Sequence, residues 1–263
     1  MTDSRYIPGI FNYCDYWCER CAFTRRCRNF AMGEAQEHEG QVVGAVDDAS
    51  RQDFWSRLAG ELRDTRMRRT LSDIAELDDP DDVWVADPEM ERRIEDRHKA
   101  SQEHPLASMA SDYAMKVADW LKSTDADLKA VAEGLRRSAH EVFEEDDLEE
   151  QALEIGDMIE VVAWYHTLIA AKTGRAVSGL IQRKNETGLV ARLGLEDANG
   201  TGKVVLAAIE RSMAAWLRLR EILPQREGEI LDLLALLTRI QHGIHSALPG
   251  AKAFIRPGFD TGL

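Results

Sequence analysis

The chain has 263 residues, of which 44% are hydrophobic and 30% charged, fractions that exclude a wholly disordered protein and allow a sizeable core. Its 33 basic against 47 acidic residues give a net charge of −14, so the molecule as a whole repels nucleic acid and anionic membranes. No apolar run reaches about 18 residues, and the first residues lack the basic-then-apolar order of an export signal, so a cytoplasmic protein without a membrane span is expected.

Residues 1–32 form the first region. All four cysteines of the chain lie here, at Cys14, Cys18, Cys21 and Cys27. They stand among aromatics (Tyr6, Phe11, Tyr13, Tyr16, Trp17, Phe23, Phe30) and arginines (Arg5, Arg20, Arg25, Arg26, Arg28). Residues 33–105 form the second region. Gly33 to Ala49 reads as a linker, and Arg51 to Glu76 has helical spacing through Phe54, Leu58, Leu62, Leu71 and Ile74. Residues 76–99 are strongly acidic and interrupted by Pro80 and Pro88, so a solvated loop or lid is expected there.

The third region, residues 106–263, has no proline from Leu106 to Leu223. Apolar spacing predicts helices near 106–123, 126–144, 148–180, 199–222 and 226–247. Asp125 and Asp127 mark one start, Asn199-Gly200 marks another, and Pro224 and Pro249 close the last two. The tail Phe254-Ile255-Arg256-Pro257-Gly258-Phe259 is extended and partly apolar, as expected of a segment that docks on a bundle. No alternating run is long enough for a sheet. The expected fold is all-α: a bundle of about five or six helices with an N-terminal cysteine-rich metal-binding loop.

The cysteine spacing is C-x3-C-x2-C-x5-C. Four thiolates on one compact segment suit a zinc ion or an iron–sulfur cluster, because soft ligands select these metals and four of them complete a tetrahedral set. Two disulfides packed into fourteen positions would be strained, and nothing else in the chain suggests an oxidising compartment. Arg20, Arg25, Arg26 and Arg28 interleave or closely follow the ligands. They would offset the charge of a four-thiolate centre, which favours a 4Fe–4S cluster and leaves zinc as the alternative. The same arginines and aromatics could meet phosphate and bases, but the overall charge turns the expectation towards an acidic protein or redox partner.

The run Cys18-Glu-Arg-Cys21-Ala-Phe-Thr-Arg-Arg-Cys27 resembles the cluster loop of the endonuclease III family, whose last two gaps are also x2 and x5. That resemblance implies a 4Fe–4S cluster on Cys14, Cys18, Cys21 and Cys27. It covers only the loop, which here has x3 as its first gap, lies at the N-terminus and comes without a helix-hairpin-helix signature, so no glycosylase activity is implied. From Ile7-Pro8-Gly9-Ile10-Phe11-Asn12-Tyr13-Cys14 onward, the chain resembles an uncharacterised bacterial family with an N-terminal four-cysteine motif and a helical body. This second resemblance implies the architecture and no activity.

In the helical body, a carboxylate-bridged di-iron centre would need two Glu-x2-His pairs on facing helices. Only Glu95–His98 occurs, in the acidic segment. His242 and His245 sit at the end of the last helix, as its dipole favours. Residues 199–203 end like a phosphate-binding loop but lack its glycine, its hydroxyl residue and its strand. An unusual polar stripe remains. Asp157, Glu160, Trp164, Ala171 and Arg175 fall within about 60° on one helix, and Lys203 and Glu210 share an apolar stripe on the next. His166 points away, as a satisfied core histidine would. Charges on such stripes must pair, so ion pairs of Glu160 or Glu210 with Arg175 or Arg211 are expected, within the chain or across a homodimer. A polar ligand pocket and an enzyme using these acids are the alternatives.

Overall fold

The computed structural model describes residues 5–39, 88–141 and 145–260. Among them lie seven α-helices and no strand: α1 (Arg28–Glu39), α2 (Pro88–Gln102), α3 (Pro105–Ser123), α4 (Asp125–Glu141), α5 (Glu145–Asn185), α6 (Gly188–Ile222) and α7 (Glu227–Ala247). The fold is all-α, as the sequence predicts. One compact unit comprises Met1–Phe30 with Ile94–Leu263, and a second comprises Ala31–Arg93. Described residues of the second unit are confined to parts of α1 and α2. The helix expected over 51–76 lies outside the described residues.

Local signals set the helix ends. Pro105 opens α3 at a position where its missing N–H costs nothing, and His104 Nδ1 accepts the Leu106 N–H at 3.2 Å. Asp125 and Asp127 sit in the first turn of α4, and Glu227 and Glu229 in that of α7, where the dipole favours acids. The same logic corrects the loop expected over 76–99. Pro88 stands at the start of α2 with Glu89 and Glu91 in its first turn, so proline begins a helix there instead of breaking one. Residues 76–87 lie outside the described residues, as does most of the expected linker, whose first part belongs to α1.

α5 and α6 form a long antiparallel hairpin with α3 and α7 packed around it. At Gly179 and Gly194 the two backbones touch. A Cβ added to Gly179 would lie 2.6 Å from the Gly194 carbonyl oxygen. The core is continuous and aromatic at its centre. Trp216 Nε1 donates to the buried Tyr113 hydroxyl at 3.0 Å, and Trp120 meets Trp216 edge-on at 4.7 Å. Ile169, Ile209, Ile230, Leu237 and Ile240 fill the space around them.

α6 also overturns an expected boundary. Asn199-Gly200 does not start a helix but lies in the middle of one, which begins after Thr187. The glycines serve close packing. A Cβ on Gly200 would lie 2.3 Å from Tyr13 Cε1 and 2.8 Å from Phe254 Cζ, and one on Gly202 would meet Leu248 and Ala251. Turn residues and packing residues carry the same letter in sequence. Among the described residues no helix is long and apolar enough to cross a membrane.

Candidate metal centre

Three single 3₁₀ turns, Ile10–Tyr13, Cys18–Arg20 and Thr24–Arg26, shape the cysteine segment. Each turn delivers a cysteine in extended backbone at its end: Cys14, Cys21 and Cys27. The Cys21 N–H donates to the Cys18 carbonyl and the Cys27 N–H to the Thr24 carbonyl, both at 3.1 Å. Ile7 N–H reaches the Arg26 carbonyl at 3.0 Å, which draws the two ends of the segment together. Between Cys14 and Cys18 the chain reverses at Tyr16. Its φ of 58° is the only positive one among the described non-glycine residues, an arrangement that an aromatic adopts only under external restraint.

The four cysteines line one cavity together with aromatic residues that include Phe11, Tyr16, Phe30 and Phe259. All four are unbridged and half-buried. Cys14 Sγ donates to the Phe11 carbonyl at 3.4 Å, and Phe23 N–H donates to Cys21 Sγ at 3.4 Å. Burial pushes the Cys14 and Cys18 thiols up to about 11. Charge on neighbouring cysteines adds to this, Cys27 acting on Cys14, and Cys14, Cys21 and Cys27 acting on Cys18. As bare thiols they are neutral, and binding a metal would displace their protons. Among the described residues no three His, Cys, Asp or Glu side chains stand close enough to hold a single metal ion. The thiols face a shared space without crowding onto one point.

The segment is seated on the polar stripe of α5. Arg20 pairs with Asp157 and Glu160 and lies over the Trp17 ring, 4.1 Å from its centroid. Trp17, 5% exposed, stacks on Trp164 at 5.1 Å and meets Tyr165 edge-on. Asp15 is the hub. Its carbonyl accepts Trp164 Nε1 at 3.0 Å, and its carboxylate accepts the Tyr165 hydroxyl at 2.8 Å and Arg211 at 2.7 Å. Burial and the Asp15 carboxylate push the Tyr165 phenol up to about 12. Arg175 pairs with Asp197 and donates to the Asn12 carbonyl at 3.3 Å. The segment from Asn12 to Arg20 thus runs down one face of α5, from Arg175 to Asp157.

Lys172 lies on that face, buried, with its ammonium 4.5 Å from the centroid of the Tyr16 ring. Burial, with the like charge of Arg175, pulls it down to about 8. The C-terminal tail closes the other side. Phe254 meets Tyr13 edge-on at 4.8 Å, Phe259 meets Phe23 at 5.2 Å, and Gly258 packs against Ile7 and Ile10. The tail therefore docks largely on the cysteine segment, a finer result than the docking on the bundle expected from its composition.

The polar stripe expected on α5 and α6 exists, but within the chain Glu160 and Glu210 do not pair with Arg175 or Arg211. Asp157 and Glu160 are taken by Arg20, Arg175 by Asp197, and Arg211 by Asp15 and Tyr165. Lys203 donates to the Lys252 carbonyl at 2.9 Å, and Glu210 is exposed outside this network. His166 bonds to the Ala163 carbonyl at 2.7 Å, and burial lowers its pKa. No local sequence signal marks Asp15, Lys172, Tyr165 or Asp197 as members of this network. Only the complementary charges of Arg20 and the α5 acids could have hinted at the docking. Scans of family models, curated proteins and solved structures return no match to the chain.

Proposed function

We propose that the protein binds a 4Fe–4S cluster through Cys14, Cys18, Cys21 and Cys27 and acts as a redox or sensing protein. The observation that carries this reading is that every cysteine of the chain lines one cavity, each unbridged. The donor set fits the group: four soft ligands, a backbone N–H already aimed at Cys21 Sγ, and arginines adjacent to the ligands in sequence. A bound cluster would supply one-electron chemistry or a response to oxidants. The protein's own part is to hold the ligands, screen them with Phe11, Phe30 and Phe259, and fix the segment to α5.

Zinc is the second reading, favoured by the way Asp15, Trp17 and Arg20 knit the segment to the helices as a structural staple would. It would require the thiols to draw closer than they stand. The α5 acids, occupied by Arg20, support a docking role for the stripe over a catalytic one. Thiols of this kind persist in the reducing cytoplasm, which is the proposed location. The exposed Arg25, Arg26 and Arg28 beside Cys27 suit an acidic redox partner better than nucleic acid, given the net charge. Anaerobically purified protein should be brown, and Cys21→Ser should lose that colour. A colourless wild-type protein would overturn the cluster reading.

A further inference from the structure

Lys172 is the one charged side chain among the buried residues described, 5% exposed in the middle of α5. Among the described residues, no hydrogen bond or ion pair reaches its ammonium, which faces the Tyr16 ring instead. A buried ammonium without a counter-charge is costly, and a ring face offsets only part of that cost. The nearby carboxylates are engaged elsewhere, Asp197 with Arg175 and Asp15 with Arg211 and Tyr165. The Tyr16 ring that Lys172 faces stands between Cys14 and Cys18 in sequence and lines the same cavity as all four cysteines. A neutral Cys14 thiol provides no charge, whereas a metal-bound cysteine is a thiolate.

We propose that Lys172 is the buried counter-ion of the cysteine centre: its ammonium, held against the Tyr16 ring that lines the cysteine cavity, balances the negative charge that the four cysteines acquire as metal-bound thiolates. This rests on the reading of the cysteines as metal ligands. Lys172 is a positioning and charge-balancing residue and not a ligand itself. Its burial disfavours the metal-free protein and is compensated in the loaded one. Removing its charge must therefore act with opposite sign on the two states, which a purely structural lysine would not do.

The test reconstitutes wild-type protein, Lys172→Met and Lys172→Arg anaerobically with ferrous iron and sulfide, and first counts both per chain. Loaded Lys172→Met should release iron to a ferrous chelator about ten- to a hundred-fold faster than wild type, the usual loss when a group supporting the ligands is removed. Its midpoint potential should fall. Lys172→Arg, which keeps the charge, should stay within a few-fold of wild type. Metal-free Lys172→Met should melt at a higher temperature than metal-free wild type. Wild-type release and potential in Lys172→Met, equal losses in Lys172→Arg, or a metal-free Lys172→Met that is less stable would each overturn the proposal while leaving the cysteine reading intact. If the wild-type protein binds zinc instead, the chelator release rates decide in the same way. If it takes up neither metal, the cysteine reading fails at the count, and the counter-ion role falls with it.

Discussion

Single residues carry much of what distinguishes this molecule from a generic helical bundle. Gly200 admits the Tyr13 and Phe254 rings to the α6 backbone, so Gly200→Ala should destabilise the protein by about 1–3 kcal/mol through overpacking despite the better helix propensity of alanine. Gly156, with nothing within 4 Å of an added Cβ, should respond oppositely: Gly156→Ala should stabilise by about 0.5–1 kcal/mol in urea unfolding. Both are glycines within long helices in the sequence, and only what packs against them sets the sign. The thiols make a pH prediction. Cys14 and Cys18 ionise at about 11 in the folded, metal-free protein and near 9 when unfolded, so the unfolded chain holds fewer protons between those values. Their contribution to stability is present below pH 9 and is lost as pH rises to 11. Lys172 works the other way, from about 8 to its ordinary value. In urea titrations from pH 9 to 11, the metal-free double variant Cys14→Ser/Cys18→Ser should therefore lose less stability than metal-free wild type. An equal loss would contradict the burial of these thiols.

At the scale of elements, the cysteine segment, α5 and the C-terminal tail form one construction. Trp17 is the aromatic anchor, stacked on Trp164 and shielded by Arg20. Trp17→Ala should cost roughly 3–5 kcal/mol of docking. Limited trypsin digestion should then cut after Arg20 many times faster while the helical circular dichroism persists. The tail should matter through Phe259, which lines the cysteine cavity. Phe259→Ala should speed loss of bound metal to a chelator without lowering the metal content of freshly loaded protein. Helices α3 to α7 were legible because apolar spacing, proline positions and first-turn acids are local signals. The seating of the segment was not. Arg20 meets Asp157 and Glu160 across about 140 residues of chain, and nothing local tells which of many surface charges an arginine will find. The polar stripe was visible as an anomaly on an apolar helix, but its partner is a loop whose turns set its direction. Tyr16 in the left-handed region is the clearest case, since neither its type nor its neighbours announce the reversal.

For the whole molecule, the core of α3, α5, α6 and α7 is continuous without the cysteines. Cys21→Ser should accordingly leave most of the helical signal intact while abolishing metal binding. Collapse of that signal would mean that the centre and the bundle fold as one. The division of labour is then a helical body with its own continuous core and a small segment, clamped by Asp15, Trp17 and Arg20, that carries the four cysteines. The concentration of all four thiols in one short segment made their proximity in space legible from spacing alone. Their convergence on one cavity is the structural counterpart of that spacing. The central claim is tested most directly by counting iron, zinc and acid-labile sulfide per chain in protein purified without oxygen. About four irons and four sulfides per chain are expected. One zinc without sulfide would contradict the cluster while keeping the ligand set, and protein free of both metals would contradict the metal centre altogether.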